Sequence, residues 1–245
     1  MPINQCIYVL ENNIENPFQL FLILKLLYPE GKLKFTKDEI NFLALVLKVH
    51  PKTIRANAKR LINLNWIRLN TKTTYYLINS FDRLRKNNNW KSRASIEINV
   101  NNVYNIRAIL GATLYTYLHK DFWRKVKSSK EKSVRIKQRT YHFLFPSFNF
   151  KLEAAPISVN GVNAIFNISQ AKASRIKTIA TVEKLIEVQK TYRKIQISKF
   201  DLEGLKQFTS ITTNNIIFRE GNYYLQEIDH IIPLIPIRKR KKLET

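Results

Sequence analysis

Apolar residues in the first third of the chain recur at helical intervals, and proline, glycine and polar turns divide them into elements. Asn16-Pro17 has the form of an N-cap followed by proline at the first helical position. Phe18, Phe21, Leu22, Leu24 and Leu27 carry a helix on to about Tyr28, where Pro29-Glu30-Gly31 stops it. Thr36-Lys37-Asp38-Glu39 is a capping box, in which the Thr hydroxyl and the Glu carboxylate satisfy opposite ends of a first turn. Ile40, Leu43, Ala44 and Leu47 form one face of the helix it opens. Lys48-Val49-His50 predicts a turn, and Pro51 opens a third helix with Ile54, Ala58, Leu61 and Ile62 on its inner side. Lys52, Thr53, Arg55, Lys59 and Arg60 fall on the other side, with Asn57 at the boundary. Asn65 stands where a helix commonly ends in the left-handed conformation. Trp66 to Leu69 and Thr74 to Ile78 predict two short strands around the polar turn Asn70-Thr71-Lys72-Thr73.

A similar order follows further along. Ile96, Ile98 and Val100 alternate with polar residues after an Asn87-Asn88-Asn89 linker and predict a short strand. Residues 104–126 predict a long helix, apolar on one broad side from Ile106 to Phe122. Residues 127–140 read as a basic arm or hairpin, and Tyr141, Phe143, Phe145, Phe148 and Phe150 as core. Ser158 caps a short helix ending near Phe166, and Asn167-Ile168 is a turn. SQAKASRIKTIATVEKL is a second basic helix, with Ala173, Ile176, Ile179 and Ala180 inward and Lys172, Arg175 and Lys177 outward. LIEVQ and YRKIQI predict a hairpin around Lys190-Thr191. Asp201 to Phe208 reads as helical. Ile216 to Arg219 and Tyr223 to Gln226 flank a turn at Glu220-Gly221-Asn222, and Ile231 to Ile237 is extended. These boundaries predict a first unit over 1–86, a second over 87–199, and a tail over 200–245.

Charge changes the picture most. The net charge of +24 is not spread evenly: residues 1–50 sum to zero, 51–199 to +23 and 200–245 to +1. The excess begins with the first basic helix, and no acid lies between Pro51 and Asn70. Such a field favours polyanions. Codon bias of an AT-rich genome, the bland explanation, would raise Glu as well as Lys, and acids are scarce.

The chain has one cysteine, Cys6, so it forms no intrachain disulfide, and a cytoplasmic, nucleoid-associated setting is expected. The longest apolar stretch, near Phe18 to Tyr28, is too short to span a membrane, and no signal peptide is apparent. No metal site, cofactor or catalytic constellation is expected. His50, His119, His142 and His230 are scattered, Glu183 and Glu187 are the only close acid pair in 51–199, and no Gly-Lys-Ser/Thr loop is present.

The run HPKTIRANAKRLINLNWIRL resembles the recognition helix and first wing strand of bacterial winged-helix proteins, with Asn65 in place of the usual glycine. SQAKASRIKTIATVEKLIEV resembles the same element less closely, with Lys184 at the stop. Two such units in one chain are similar to plasmid replication initiators and to some phage and mobile-element regulators. The resemblance implies an α+β, mostly helical fold: two winged helix-turn-helix units joined by a long helix and a basic arm. It implies sequence-specific binding of double-stranded DNA without catalysis, in replication initiation or transcription regulation. Lys52, Thr53, Arg55, Asn57, Lys59 and Arg60 would face one major groove, and Gln170, Lys172, Ser174, Arg175, Lys177 and Thr178 a second. Lys72, Lys190, Arg193 and Lys194 would serve as wing contacts, and Arg238, Lys239, Arg240, Lys241 and Lys242 as an arm tracking phosphate or the minor groove. An RNA-binding or ribonucleoprotein component, or an accessory subunit of a nucleic-acid-processing enzyme, is the alternative. The oligomeric state is open, a dimer included.

Overall fold

The chain begins with a helix that the apolar pattern does not announce, α1 (Ile3–Glu11), which buries Ile3, Cys6, Val9 and Leu10. Burial pushes the Cys6 thiol up to about 12. Helix α2 (Glu15–Leu27) starts two residues before Pro17, with Ile14 rather than Asn16 at its cap. Pro17 still lies in the first turn, where a missing N–H leaves no intrahelical bond unmade. Then come β1 (Lys32–Leu33), α3 (Lys37–Leu47), α4 (Pro51–Asn63), β2 (Ile67–Leu69) and β3 (Tyr76–Ile78). Thr36 caps α3 by accepting from the Glu39 N–H, but the Glu39 carboxylate accepts from the Tyr28 hydroxyl rather than reaching back to Thr36, so only half of the expected capping box forms. The three strands form an antiparallel sheet in the order β1-β3-β2. Trp66 is fully buried under α4 and α2, its ring edge-on to Phe18 and Phe21 at 5.7 and 5.2 Å.

Helix α5 (Phe81–Asn87), capped by Ser80, and β4 (Ala94–Ile96) lead through a 3₁₀ turn (Val100–Asn105) into α6 (Ile106–Lys130). The strand expected to run on to Val100 stops at Ile96, and Ile98 lies outside the described residues. The computed structural model describes residues 1–97, 100–130, 132–136, 139–143, 153–195 and 216–239. Every residue of α6 from Ala108 to Thr116 is buried, so its middle is covered all round rather than along one side. Helices α1 and α2 pack on it from one direction and α8 (Gln170–Val182) from another. Gly111 permits the second contact, because a Cβ there would collide with the backbone carbonyl of Ile176. Tyr115 donates from its hydroxyl to the Ala173 carbonyl at 3.2 Å across the same contact.

After the hairpin of β5 (Lys132–Ile136) and β6 (Arg139–Phe143), the chain forms β7 (Ala155–Pro156), α7 (Val159–Phe166), α8 and β8 (Ile186–Gln189). It continues through β9 (Tyr192–Ile195), β10 (Ile216–Arg219), β11 (Asn222–Gln226), β12 (His230–Pro233) and β13 (Ile237–Lys239). Phe145, Phe148, Phe150 and the expected helix at 201–208 lie outside the described residues. The expected hairpin around Lys190-Thr191 does not form. Instead β8 pairs with β12, and β9 pairs with β11. The two partners break together, β8–β9 at Lys190-Thr191 and β11–β12 at residues 227–229, so a long ribbon bends there. The Glu227 N–H donates to the Thr191 carbonyl at 2.9 Å at the bend. The hairpin of β10 and β11 does turn at Glu220-Gly221, where Gly221 has φ +76°.

The described strands of the expected tail therefore pair with the rest of the chain. Strand β12 sits in the middle of the sheet β7-β12-β8, and β13 pairs with β4. One continuous core runs from Cys6 and Phe18 through Trp66, Leu110 and Tyr115 to Ala173, Ile186 and Ile231, crossing the expected boundary near residue 86. The whole is mixed α and β, with eight α-helices among the described residues and small antiparallel sheets. No helix among them is long and apolar enough to cross a membrane.

Candidate nucleic-acid interface

Helix α4 owes its start to His50 and Pro51. The His50 ring accepts from the Lys52 N–H through Nδ1 at 3.1 Å, and proline occupies the first helical position. The preceding turn depends on Lys48 at φ +51°, a left-handed residue that closes α3. Ile54, Ala58 and Leu61 are buried. Lys52, Arg55, Lys59 and Arg60 are exposed, while Thr53 and Asn57 are half-buried. None of Lys52, Arg55 and Lys59 has a carboxylate within ion-pair distance among the described residues. A row of unneutralised cations on one helix can meet phosphates or the acceptor edges of guanine.

The loop between β2 and β3 is built by Asn70, whose Oδ1 accepts from the Lys72 N–H at 3.1 Å and whose N–H donates to the Tyr75 carbonyl at 2.8 Å. Lys72 is exposed at its tip. Two further exposed cations that the sequence reading missed belong to the same sheet region: Arg68 on β2, and Lys34, which follows β1 and whose Nζ lies 4.7 Å from the Tyr75 ring centre. Arg68 was legible as the polar member of an alternating strand. Lys34 was not, because its placement depends on β1, a strand of two residues.

Helix α8 repeats the geometry of α4. Ser169 caps it by accepting from the Lys172 N–H, and Asn167 at φ +51° takes the part of Lys48. Ala173, Ile176 and Ala180 are buried, and Gln170, Ser174, Arg175 and Thr178 are exposed as expected. Lys172 and Lys177 are not. Lys172 reaches back to the α1–α2 corner, 2.5 Å from Glu15 Oε1 and 2.8 Å from Asn13 Oδ1. Lys177 pairs with Asp229, and the two side chains are only 13% and 12% exposed. Counted back from the left-handed stop, Lys177 stands where α4 has the buried Ala58, so a charge there must find a partner inside. Asp229 supplies it, and it also accepts from Gln226 at 2.9 Å, which ties the ribbon bend to α8.

The α1–α2 corner touches both candidate helices. The Asn12 carbonyl accepts from Arg60 at 3.3 Å, and Leu10, Asn13 and Glu15 hold Lys172. The end of α4 and the start of α8 thus meet a single loop. On the second ribbon Lys190, Arg193 and Lys194 are exposed, Lys190 at the bend rather than at a hairpin tip. Arg193 lies 3.7 Å from Glu227, and Arg219 stacks over Tyr192 at 5.4 Å. Arg238 lies in β13 and pairs with Glu97 at 2.8 Å, and Lys239 closes the same strand, so neither begins a free arm. Arg240, Lys241 and Lys242 lie outside the described residues. No cluster of His, Cys, Asp and Glu suited to a metal ion occurs among the described residues. Comparison of the chain with protein-family models, curated proteins and solved structures finds no match.

Proposed function

We propose that the chain binds double-stranded DNA sequence-specifically and without catalysis, through two winged helix-turn-helix units. It would serve a plasmid, phage or other mobile element as replication initiator or transcription regulator. One observation carries the reading. The order helix, strand, helix, helix, strand, strand occurs once without interruption, as α2-β1-α3-α4-β2-β3, and once with β5-β6 inserted after the first helix and β9-β10-β11 before the last strand, as α6-β7-α7-α8-β8-β12, and both sheets place the last strand between the other two. That order supports the reading, because a third helix exposed beside two antiparallel strands is the arrangement by which a winged helix enters a major groove. Helix α4 is the stronger reading head, with Lys52, Arg55 and Lys59 unpaired. Helix α8 contributes Arg175 with Gln170, Ser174 and Thr178.

Selection of bound fragments from random and source-genome DNA tests this. Enriched direct repeats favour an initiator, and a palindrome at a single promoter favours a repressor. Absence of any enriched motif overturns the sequence-specific reading. Competition by structured RNA at equal nucleotide concentration separates it from a ribonucleoprotein role.

A further inference from the structure

Helix α3 buries Leu43 and Ala44 and leaves Asp38, Phe42, Leu45 and Val49 on its outer side, at the spacing that places side chains along one face. Phe42, Leu45 and Val49 are 46%, 79% and 38% exposed. Single exposed apolar residues are ordinary, but a stripe of them marks a contact surface. Charge decides what the stripe can meet. Residues 51–199 carry +23, so two copies that approach through them bring like charges together, whereas α3 lies in the first 50 residues, which sum to zero. The ends of the stripe are opposite in sign. Asp38 stands in the first turn and Lys48 closes the helix; both are exposed, and neither has an ion pair among the described residues. Glu39 is taken up by the Tyr28 hydroxyl, and Lys37 lies about 100° round the helix from Asp38. A two-fold axis between Phe42 and Leu45 lays two such helices antiparallel. Phe42 then faces the second copy's Leu45, and Asp38 reaches the end that carries the second copy's Lys48 and Val49. The same contacts occur twice, as an isologous interface requires.

We propose that this stripe docks on the same stripe of a second copy of the chain, with Phe42 and Leu45 at the centre and an Asp38–Lys48 pair at each end. A pair of helices of 11 residues covers less than the ~800 Å² per partner of a standard stable interface, so the free protein dimerises weakly. The proposal stands independently of DNA binding, since none of these residues lies on α4 or α8.

Sedimentation equilibrium of the full-length protein, freed of nucleic acid by nuclease, tests it. The expected result is a monomer–dimer equilibrium with Kd on the order of 10–100 µM. Leu45→Glu changes a side chain that is 79% exposed, and should weaken the dimer about tenfold or more with the thermal midpoint unchanged. Asp38→Lys and Lys48→Asp should each be monomeric alone, because like charges then face each other at both ends. An equimolar mixture of the two should dimerise, since every pair is restored with its signs exchanged. A variant that had merely lost its fold would not be rescued in this way. A parent protein that stays monomeric at ~200 µM overturns the proposal and leaves the stripe to a different protein. A Leu45→Glu protein that dimerises like the parent places the dimer contact on another surface, and a mixture that stays monomeric rules out the antiparallel pairing; either also overturns it.

Discussion

Asn65 and Lys184 hold the same backbone position in two helices far apart in sequence. Each follows the last turn of its helix at a left-handed φ, +55° and +54°, with its N–H donating to the carbonyl three residues back, Ile62 or Thr181. The next N–H, of Trp66 or Leu185, then closes on Leu61 or Ala180. The left-handed region costs an ordinary L-residue roughly 1 kcal/mol, Asn less, and glycine almost nothing. Lys184→Gly should therefore raise stability by about 0.5–1 kcal/mol, and Asn65→Gly by less. Lys184→Val should lower it by about 1–2 kcal/mol. Urea midpoints at constant slope check this, and destabilisation by Lys184→Gly would mean the Lys side chain, rather than the backbone, is what matters there.

Gly111 lies directly against the backbone of α8 at Ile176. Alanine at this position must displace backbone, not a flexible side-chain end, because its Cβ would meet the Ile176 carbonyl. Gly111→Ala should cost about 1–3 kcal/mol despite alanine's better helix propensity. A thermal midpoint equal to or above that of the parent would show that the two helices can separate without penalty.

What the sequence made legible was mostly local. The capping box at Thr36, the Pro51 start, the stops at Asn65 and Lys184 and the inner faces of α4 and α8 all depend on residues within a few positions of each other. The backbone closures at the two stops and the Thr36 half of the capping box are present, while Glu39 bonds Tyr28 instead of completing that box, and the His50 and Ser169 caps add to what was expected. What remained hidden depends on distant partners. Strand β12 enters the sheet between β7 and β8 after the whole β9–β11 excursion, so β8-to-β9 looked like a hairpin when it is one bent side of a ribbon. Lys177 follows Ala173 by four positions and precedes Ala180 by three, so its inward direction was readable. Asp229, 52 residues away, was not. Lys172 is satisfied by residues at the other end of the chain, which no local pattern reports.

That difference separates two neighbouring cations on α8. Lys177→Met leaves Asp229 charged and 12% exposed with its partner gone, and should cost roughly 3 kcal/mol of stability. Arg175→Ala removes an exposed cation and should leave the urea midpoint within about 0.5 kcal/mol of the parent while weakening DNA binding. On α4, Arg55→Ala should weaken binding to the selected site by ~1–3 kcal/mol and relax base preference there. An equal loss on random DNA would make Arg55 a phosphate contact. No loss on either would remove α4 from the interface.

His119 gives stability a pH dependence whose sign follows from burial. Its ring is 5% exposed, and Nε2–H donates to the Glu153 carbonyl at 2.6 Å. Desolvation lowers its pKa in the folded chain, so the native state favours the neutral ring. A folded pKa below the unfolded one means that the unfolded chain binds the proton first as pH falls. The contribution is therefore fully present above about 6.5, the ordinary histidine value, and is lost as pH drops through the folded pKa. Glu11, whose carboxyl burial raises, works in the opposite sense at lower pH. The thermal midpoint should stay level from pH 8 to about 7 and decline below about 6.5. His119→Gln should flatten that decline, with its amide still able to donate to Glu153. Melting curves between pH 5 and 8 on both proteins check this, and an unchanged slope in the variant would assign the decline to another group.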